Sequence, residues 1–151
     1  MSKNRFEKLR QINCLTSEMD GLYHQASVKI GLSDSASRIL YELYTSGGSC
    51  LLSHIYKNFG ISKQTVNSAL RKLENENLIH LKQHYGKTKM VFLTEQGKEK
   101  ANETVSKLVD AEIGAFESWS EEEIDTYISL TNKYVETFCE QVNTLQKEQK
   151  L

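Results

Sequence analysis

Phe6, Leu9, Ile12, Leu15, Met19, Leu22, Tyr23, Ala26 and Ile30 recur every three or four residues. That step stacks apolar side chains along one face of a helix, and it predicts a long first helix over residues 4–30. Ser33 is placed to cap a second helix that runs to Tyr44, with Ile39, Leu40, Leu43 and Tyr44 as its apolar stripe. Ser46-Gly47-Gly48-Ser49 reads as a loop. A short helix is expected from Leu51 to Phe59, turning Leu52, Ile55 and Phe59 inward, followed by a tight turn at Gly60-Ile61. Ser62 then caps a helix that reaches Asn77 and buries Val66, Leu70 and Leu73. Two short helices joined by a glycine-containing turn make a helix-turn-helix.

After Asn77 the period changes from 3.6 to 2. Ile79-His80-Leu81-Lys82 alternates apolar with polar, as a half-buried strand does. His84-Tyr85-Gly86-Lys87 supplies a turn, and Lys89-Met90-Val91-Phe92-Leu93 is the return strand. A basic hairpin placed directly after a helix-turn-helix is a wing. Helical spacing then resumes. Thr94 is expected to cap one continuous fifth helix to Phe116, with Val105, Leu108, Val109, Ile113 and Phe116 on one face. Ser120 caps a last helix whose first turn holds Glu121, Glu122 and Glu123, acids that suit the positive end of a helix dipole. Its stripe is Ile124, Ile128, Thr131, Val135, Phe138, Val142 and Leu145. The expected fold class is mainly α with a small β-hairpin wing. The absence of proline and the presence of only eight glycines among 151 residues favour long helices, because the two strongest helix breakers are scarce.

Charge sharpens this picture. The net charge is −1, but it is unevenly spread. Residues 53–94 hold seven Lys or Arg against two Asp or Glu, a net +5. Residues 95–151 hold six against thirteen, a net −7. A basic middle points to a polyanionic partner. Cys14, Cys50 and Cys139 are odd in number and far apart, which argues against a disulfide framework or a CxxC metal site and for a reducing cytoplasm. The N-terminus carries no apolar run of the secretory kind, and no stretch is long enough to span a membrane.

Four stretches, in this order and spacing, resemble the MarR family of transcriptional regulators. They are Gly31-Leu32-Ser33, Phe59-Gly60-Ile61-Ser62-Lys63-Gln64-Thr65-Val66-Asn67, Leu73-Glu74-Asn75-Glu76-Asn77-Leu78-Ile79, and Val91-Phe92-Leu93-Thr94-Glu95-Gln96-Gly97-Lys98. The resemblance implies an N-terminal dimerisation helix over residues 1–32, a winged helix-turn-helix DNA-binding domain over 33–97, and C-terminal dimerisation helices over 98–151. It further implies a homodimer built by the two ends of the chain, with Phe6, Leu9, Ile12, Ile128, Val135, Phe138, Val142 and Leu145 at the interface. Family members commonly carry Asp-x-Arg at the wing tip. Here those positions hold Tyr85 and Lys87, so the cation is kept and the acid that would orient it is not.

The chemistry expected of the recognition helix follows from its outward face. The major groove admits one α-helix, and its base edges present a distinct donor and acceptor code. With Val66, Leu70 and Leu73 turned inward, Ser62, Lys63, Gln64, Thr65, Asn67, Ser68 and Arg71 are left for double-stranded DNA. Gln64 and Asn67 suit bidentate pairing with adenine, and Lys63 reaches guanine. Thr65 suits a phosphate or a thymine methyl, and Arg71 a phosphate. Lys82, Lys87 and Lys89 on the wing would flank the duplex, although Lys82 also suits a solubilising edge position. The other reading of this surface is the wet side of an amphipathic helix.

Family members often respond to small aromatic or other effectors, and Tyr23, Tyr41, Tyr44 and Trp119 are candidates to line such a pocket, with core or interface packing the commoner role. Counting back from Gly31 places the cysteine of peroxide-sensing members nearer Leu9, so Cys14 is expected to be a small buried hydrophobe. His24, His54, His80 and His84 are not at ligand spacing, and no cofactor or metal is expected. No phosphate loop, nucleophile elbow or HExxH is present, which sets an enzyme aside. The remaining alternative is a winged helix that holds a protein partner without specific DNA binding.

Overall fold

The computed structural model describes residues 3–60 and 62–145. Ile61, in the expected tight turn, lies outside the described residues. The elements are α1 (Lys3–Lys29), α2 (Asp34–Thr45), β1 (Ser49–Leu51), α3 (Leu52–Phe59), α4 (Lys63–Asn75), β2 (Ile79–Gln83), β3 (Lys89–Leu93), α5 (Glu95–Glu103), α6 (Val105–Phe116) and α7 (Glu121–Leu145). The chain divides into two compact units, residues 1–110 and 111–151.

In the first unit the core gathers the inward stripes of α2, α3 and α4. Ile39, Leu40, Leu43, Ile55, Val66 and Leu73 are essentially sealed from solvent, joined by Ile79 and Val91 from the sheet and by Val105. Phe59 and Leu70 are buried as expected, whereas Leu52 is half-buried at the edge of the core. Ser33 caps α2 by accepting a hydrogen bond from the Ala36 N–H at 3.2 Å. Asn77 ends α4 in the left-handed conformation, φ 57°. Around it, Leu78 N–H donates to Leu73 O at 2.9 Å and Asn77 N–H to Glu74 O at 2.9 Å, a Schellman closure that satisfies two orphan carbonyls.

The sheet is three-stranded and antiparallel in the order β1-β3-β2. The hairpin forms with Ile79 opposite Leu93 and Lys82 opposite Met90. The added strand β1, pairing Ser49 with Phe92 and Leu51 with Met90, occupies part of what the sequence presents as a loop and the start of α3. Three residues are too few to show an alternation, and pairing with β3 is what makes them a strand.

The expected continuous helix after Thr94 is instead two. Thr104 leaves the helical region, φ −123° and ψ −81°, between α5 and α6. Its hydroxyl donates back to Lys100 O at 2.6 Å, a local bond that competes with the helix ladder. Val105 follows, a second β-branched residue. The break carries no glycine or proline, and Ala101, Thr104, Val105 and Leu108 are all buried around it.

In the second unit, α7 begins with a reciprocal cap. Glu123 N–H donates to Ser120 Oγ at 3.2 Å, and Ser120 N–H donates to Glu123 Oε2 at 2.8 Å, a capping box. Trp119 makes edge-on contacts with Phe116 and Tyr127, centroids 5.2 and 5.8 Å away. No described residue of α7 is buried.

Candidate nucleic-acid interface

The interface is built on the turn between α3 and α4. α3 ends at Gly60, which takes φ 58°, a left-handed conformation that costs any residue with a Cβ. Arg38 of α2 reaches the same point. Its Nη1 donates to Phe59 O at 2.9 Å, and the guanidinium lies 5.7 Å from the centre of the Phe59 ring. A helix ends in unpaired carbonyls and partial negative charge, and Arg38 answers both. On the far side of the turn, Ser62 Oγ accepts from Thr65 N–H at 3.3 Å and lies 2.9 Å from Thr65 Oγ1. The start of α4 carries no acid in its first turn, so its positive end is not offset by local charge.

α4 buries Val66, Leu70 and Leu73. Lys63, Gln64, Thr65, Ser68 and Arg71 are exposed, as is the capping Ser62, and Asn67 is half-buried. Lys63, Asn67 and Arg71 follow one another at steps of four, a single row along the helix. The structure also brings in a residue that the sequence pattern does not single out. Tyr56 of α3 donates its hydroxyl to Asn67 Oδ1 at 2.5 Å, and its ring lies 5.3 Å from Lys63 Nζ. The one available signal was negative, since Tyr56 falls outside the inward stripe Leu52, Ile55 and Phe59.

On the wing, Lys82, Lys87 and Lys89 are all exposed. Lys82 is not a free edge cation, because its Nζ lies 5.7 Å from the centre of the Phe92 ring. On the same face of β2 and β3, His80 stacks on Phe92, centroids 5.2 Å apart. The tip is closed by His84 N–H donating to Thr88 O at 2.8 Å and Thr88 N–H to Tyr85 O at 3.0 Å. Thr88 Oγ1 donates to the Tyr85 carbonyl and Gln83 Nε2 to that of Gly86. Tyr85 is 85% exposed at this tip.

Tyr41 and Tyr44 are half-buried against the core, and Tyr23 is exposed on α1. Cys14 is exposed on α1, not buried as expected; the buried cysteine is Cys50 of β1. Helical spacing puts Cys14 near the apolar stripe, but that stripe is itself open to solvent. Burial, and after it the charge of Glu42, pushes the Cys50 thiol up to about 11. His24 Nδ1 lies 2.9 Å from an oxygen of Asp34, tying α1 to the start of α2. Among the described residues, no group of three His, Cys, Asp or Glu is placed to hold a metal ion. No described helix is long and apolar enough to cross a membrane.

Comparison with known proteins meets this geometry. The MarR family model matches residues 30–86, the span from the end of α1 to the wing tip. No curated protein sequence matches the chain significantly. Among solved structures, the chain is similar to a MarR family regulator from Neisseria meningitidis, with a TM-score of 0.81 and 19% identity, covering 91% of this chain and 97% of that one. A MarR/EmrR family transcriptional regulator from Acinetobacter sp. ADP1 gives a TM-score of 0.72 and 24% identity, covering 93% and 99%. A putative MarR family regulator from Listeria monocytogenes, solved with a 26mer DNA, gives 0.69 and 20%, covering 92% and 93%. The chain therefore has the winged helix-turn-helix fold seen in MarR family transcriptional regulators, and its residues 30–86 match the MarR family model.

Proposed function

We propose that this protein is a transcriptional repressor that binds a pseudo-palindromic duplex operator as a homodimer in the cytoplasm. The observation that carries the reading is the surface of α4. A capped helix, free of acid at its first turn, presents Lys63, Gln64, Thr65, Ser68 and Arg71 beside a lysine-bearing wing. The similar regulator from Listeria monocytogenes, solved with DNA, supports it. In this reading Ser62, Lys63, Gln64, Asn67 and Ser68 enter the major groove. Thr65 and Arg71 meet phosphate, and Lys82, Lys87 and Lys89 track the backbone or minor groove. Phe6, Leu9 and Ile12 of α1, and Ile128, Val135, Phe138, Val142 and Leu145 of α7, are all exposed. Apolar stripes of that length are covered in a working molecule, and a second copy would place two recognition helices about 34–36 Å apart. A small aromatic or other effector that alters this spacing would release the operator.

The test is fluorescence anisotropy on the duplex upstream of the protein's own gene, against a shuffled duplex, at low and high salt. Selective binding that weakens steeply with salt is expected. Binding to neither duplex at low salt would transfer the surface to a protein partner.

A further inference from the structure

The contact between Tyr56 and Asn67 bears on which base Asn67 can read; the inference rests on the DNA-binding reading above. A free asparagine recognises adenine with both ends of its amide, the oxygen accepting from N6–H and the nitrogen donating to N7. Here the oxygen is turned toward α3, with one of its two lone pairs already engaged. Tyr56, reaching across from α3, donates its hydroxyl to Asn67 Oδ1 at 2.5 Å. Asn67 is half-buried, and Tyr56 holds its amide from the α3 side. That bond sets the orientation of the amide plane and leaves Nδ2 as the working end. Nδ2 can only donate.

We propose that Tyr56 is a specificity-determining residue that turns Asn67 from an adenine reader into a fixed donor, selecting an acceptor edge: guanine N7 and O6, or thymine O4. The same ring seats the neighbouring reader, with Lys63 Nζ 5.3 Å from its centre. An ammonium is likewise donor-only and pairs with guanine O6 and N7. One tyrosine thus holds two adjacent readers of α4 as donors, a pair suited to a guanine-bearing half-site. Tyr56 acts through Asn67 and Lys63, so its role is positioning rather than contact with the base.

The experiment is selection from a randomised duplex pool by the full chain, comparing wild type, Tyr56→Phe, Asn67→Ala and the double variant. Melting temperature is recorded for each. Tyr56→Phe keeps the ring beneath Lys63 and removes only the hydroxyl. Wild type is expected to select guanine or thymine at one half-site position, which Asn67→Ala flattens. Tyr56→Phe is expected to shift that position toward adenine by about tenfold while the other positions hold. In the Asn67→Ala background, the same change is expected to do nothing. Adenine already preferred by wild type, or a folded Tyr56→Phe protein with the wild-type preference, overturns the proposal. A uniform loss of preference at every position also overturns it, since that is the signature of a structural role. Wild type that selects no sequence overturns the DNA-binding reading and this inference with it.

Discussion

A methyl group on Gly97 would sit 1.8 Å from Leu78 O and 2.9 Å from Leu78 C. The obstacle is backbone, at the point where Thr94 N–H donates to Leu78 O at 3.0 Å and Thr94 Oγ1 to Asn77 O at 2.6 Å. The end of α4 and the start of α5 are locked together there, so Gly97→Ala must push them apart. It is expected to cost about 1–3 kcal/mol, read from urea unfolding; an unchanged midpoint would refute the close approach. Cysteine chemistry is a second residue-scale test. Cys50 is buried, so a thiol reagent should spare it in the native protein and modify it only on unfolding. The raised Cys50 pKa also has a sign. Below the ordinary value of 9.0 both folded and unfolded states keep the proton, and stability is unaffected. As pH rises from 9.0 to about 11 the unfolded chain releases it while the folded one does not, so stability falls across that window. Cys50→Ala should flatten this alkaline decline in a pH series of melts.

At the scale of elements, α4 is secured at both ends before it meets anything. Ser62 accepts from Thr65 N–H at one end, and Asn77 closes the other. Ser62→Ala should lower stability by about 1 kcal/mol and also weaken duplex binding, because the same serine stands at the proposed groove. The wing has a different energetic character. Beyond Ile79, Val91 and Leu93, which join the core, it supplies charge, so neutralising Lys87 should reduce the slope of log affinity against log salt by about one, with little change in sequence preference. An unaltered slope would remove Lys87 from the phosphate contacts. Lys82, seated by Phe92, should lose some packing as well as charge when truncated.

At the scale of the molecule, the two ends of the chain are rich in apolar side chains that the chain itself does not cover. Phe6, Leu9 and Ile12 on α1 are 51%, 37% and 48% exposed, and Ile128, Val135 and Phe138 on α7 are 52%, 60% and 54% exposed. These stripes are the residues proposed for the homodimer. Val135→Asp is expected to convert a dimer to a monomer in sedimentation velocity and to weaken operator binding by about 100-fold, through lost bivalency. A variant that stays dimeric with full affinity would send the interface elsewhere on the chain.

The sequence by itself determined the winged helix: the period-3.6 stripes of α2 to α4, the cap at Ser62, the switch to period 2 at Ile79 and the cap at Thr94. These are local signals, carried by neighbours in the chain, and local sterics and hydrogen bonding suffice to express them. It also marked Lys63, Gln64, Asn67 and Arg71 as the polar side of α4, since the inward residues leave no other side. The rest needed elements to meet. β1 exists because β3 offers a pairing edge, and Gly97 matters because Leu78 lies against it. α5 and α6 part at Thr104 where neither glycine nor proline announces a break. Tyr56 acquires a role because the packing of α3 against α4 brings its hydroxyl to an amide eleven residues away. Distances between residues remote in sequence are set by packing, and no periodicity along the chain encodes them.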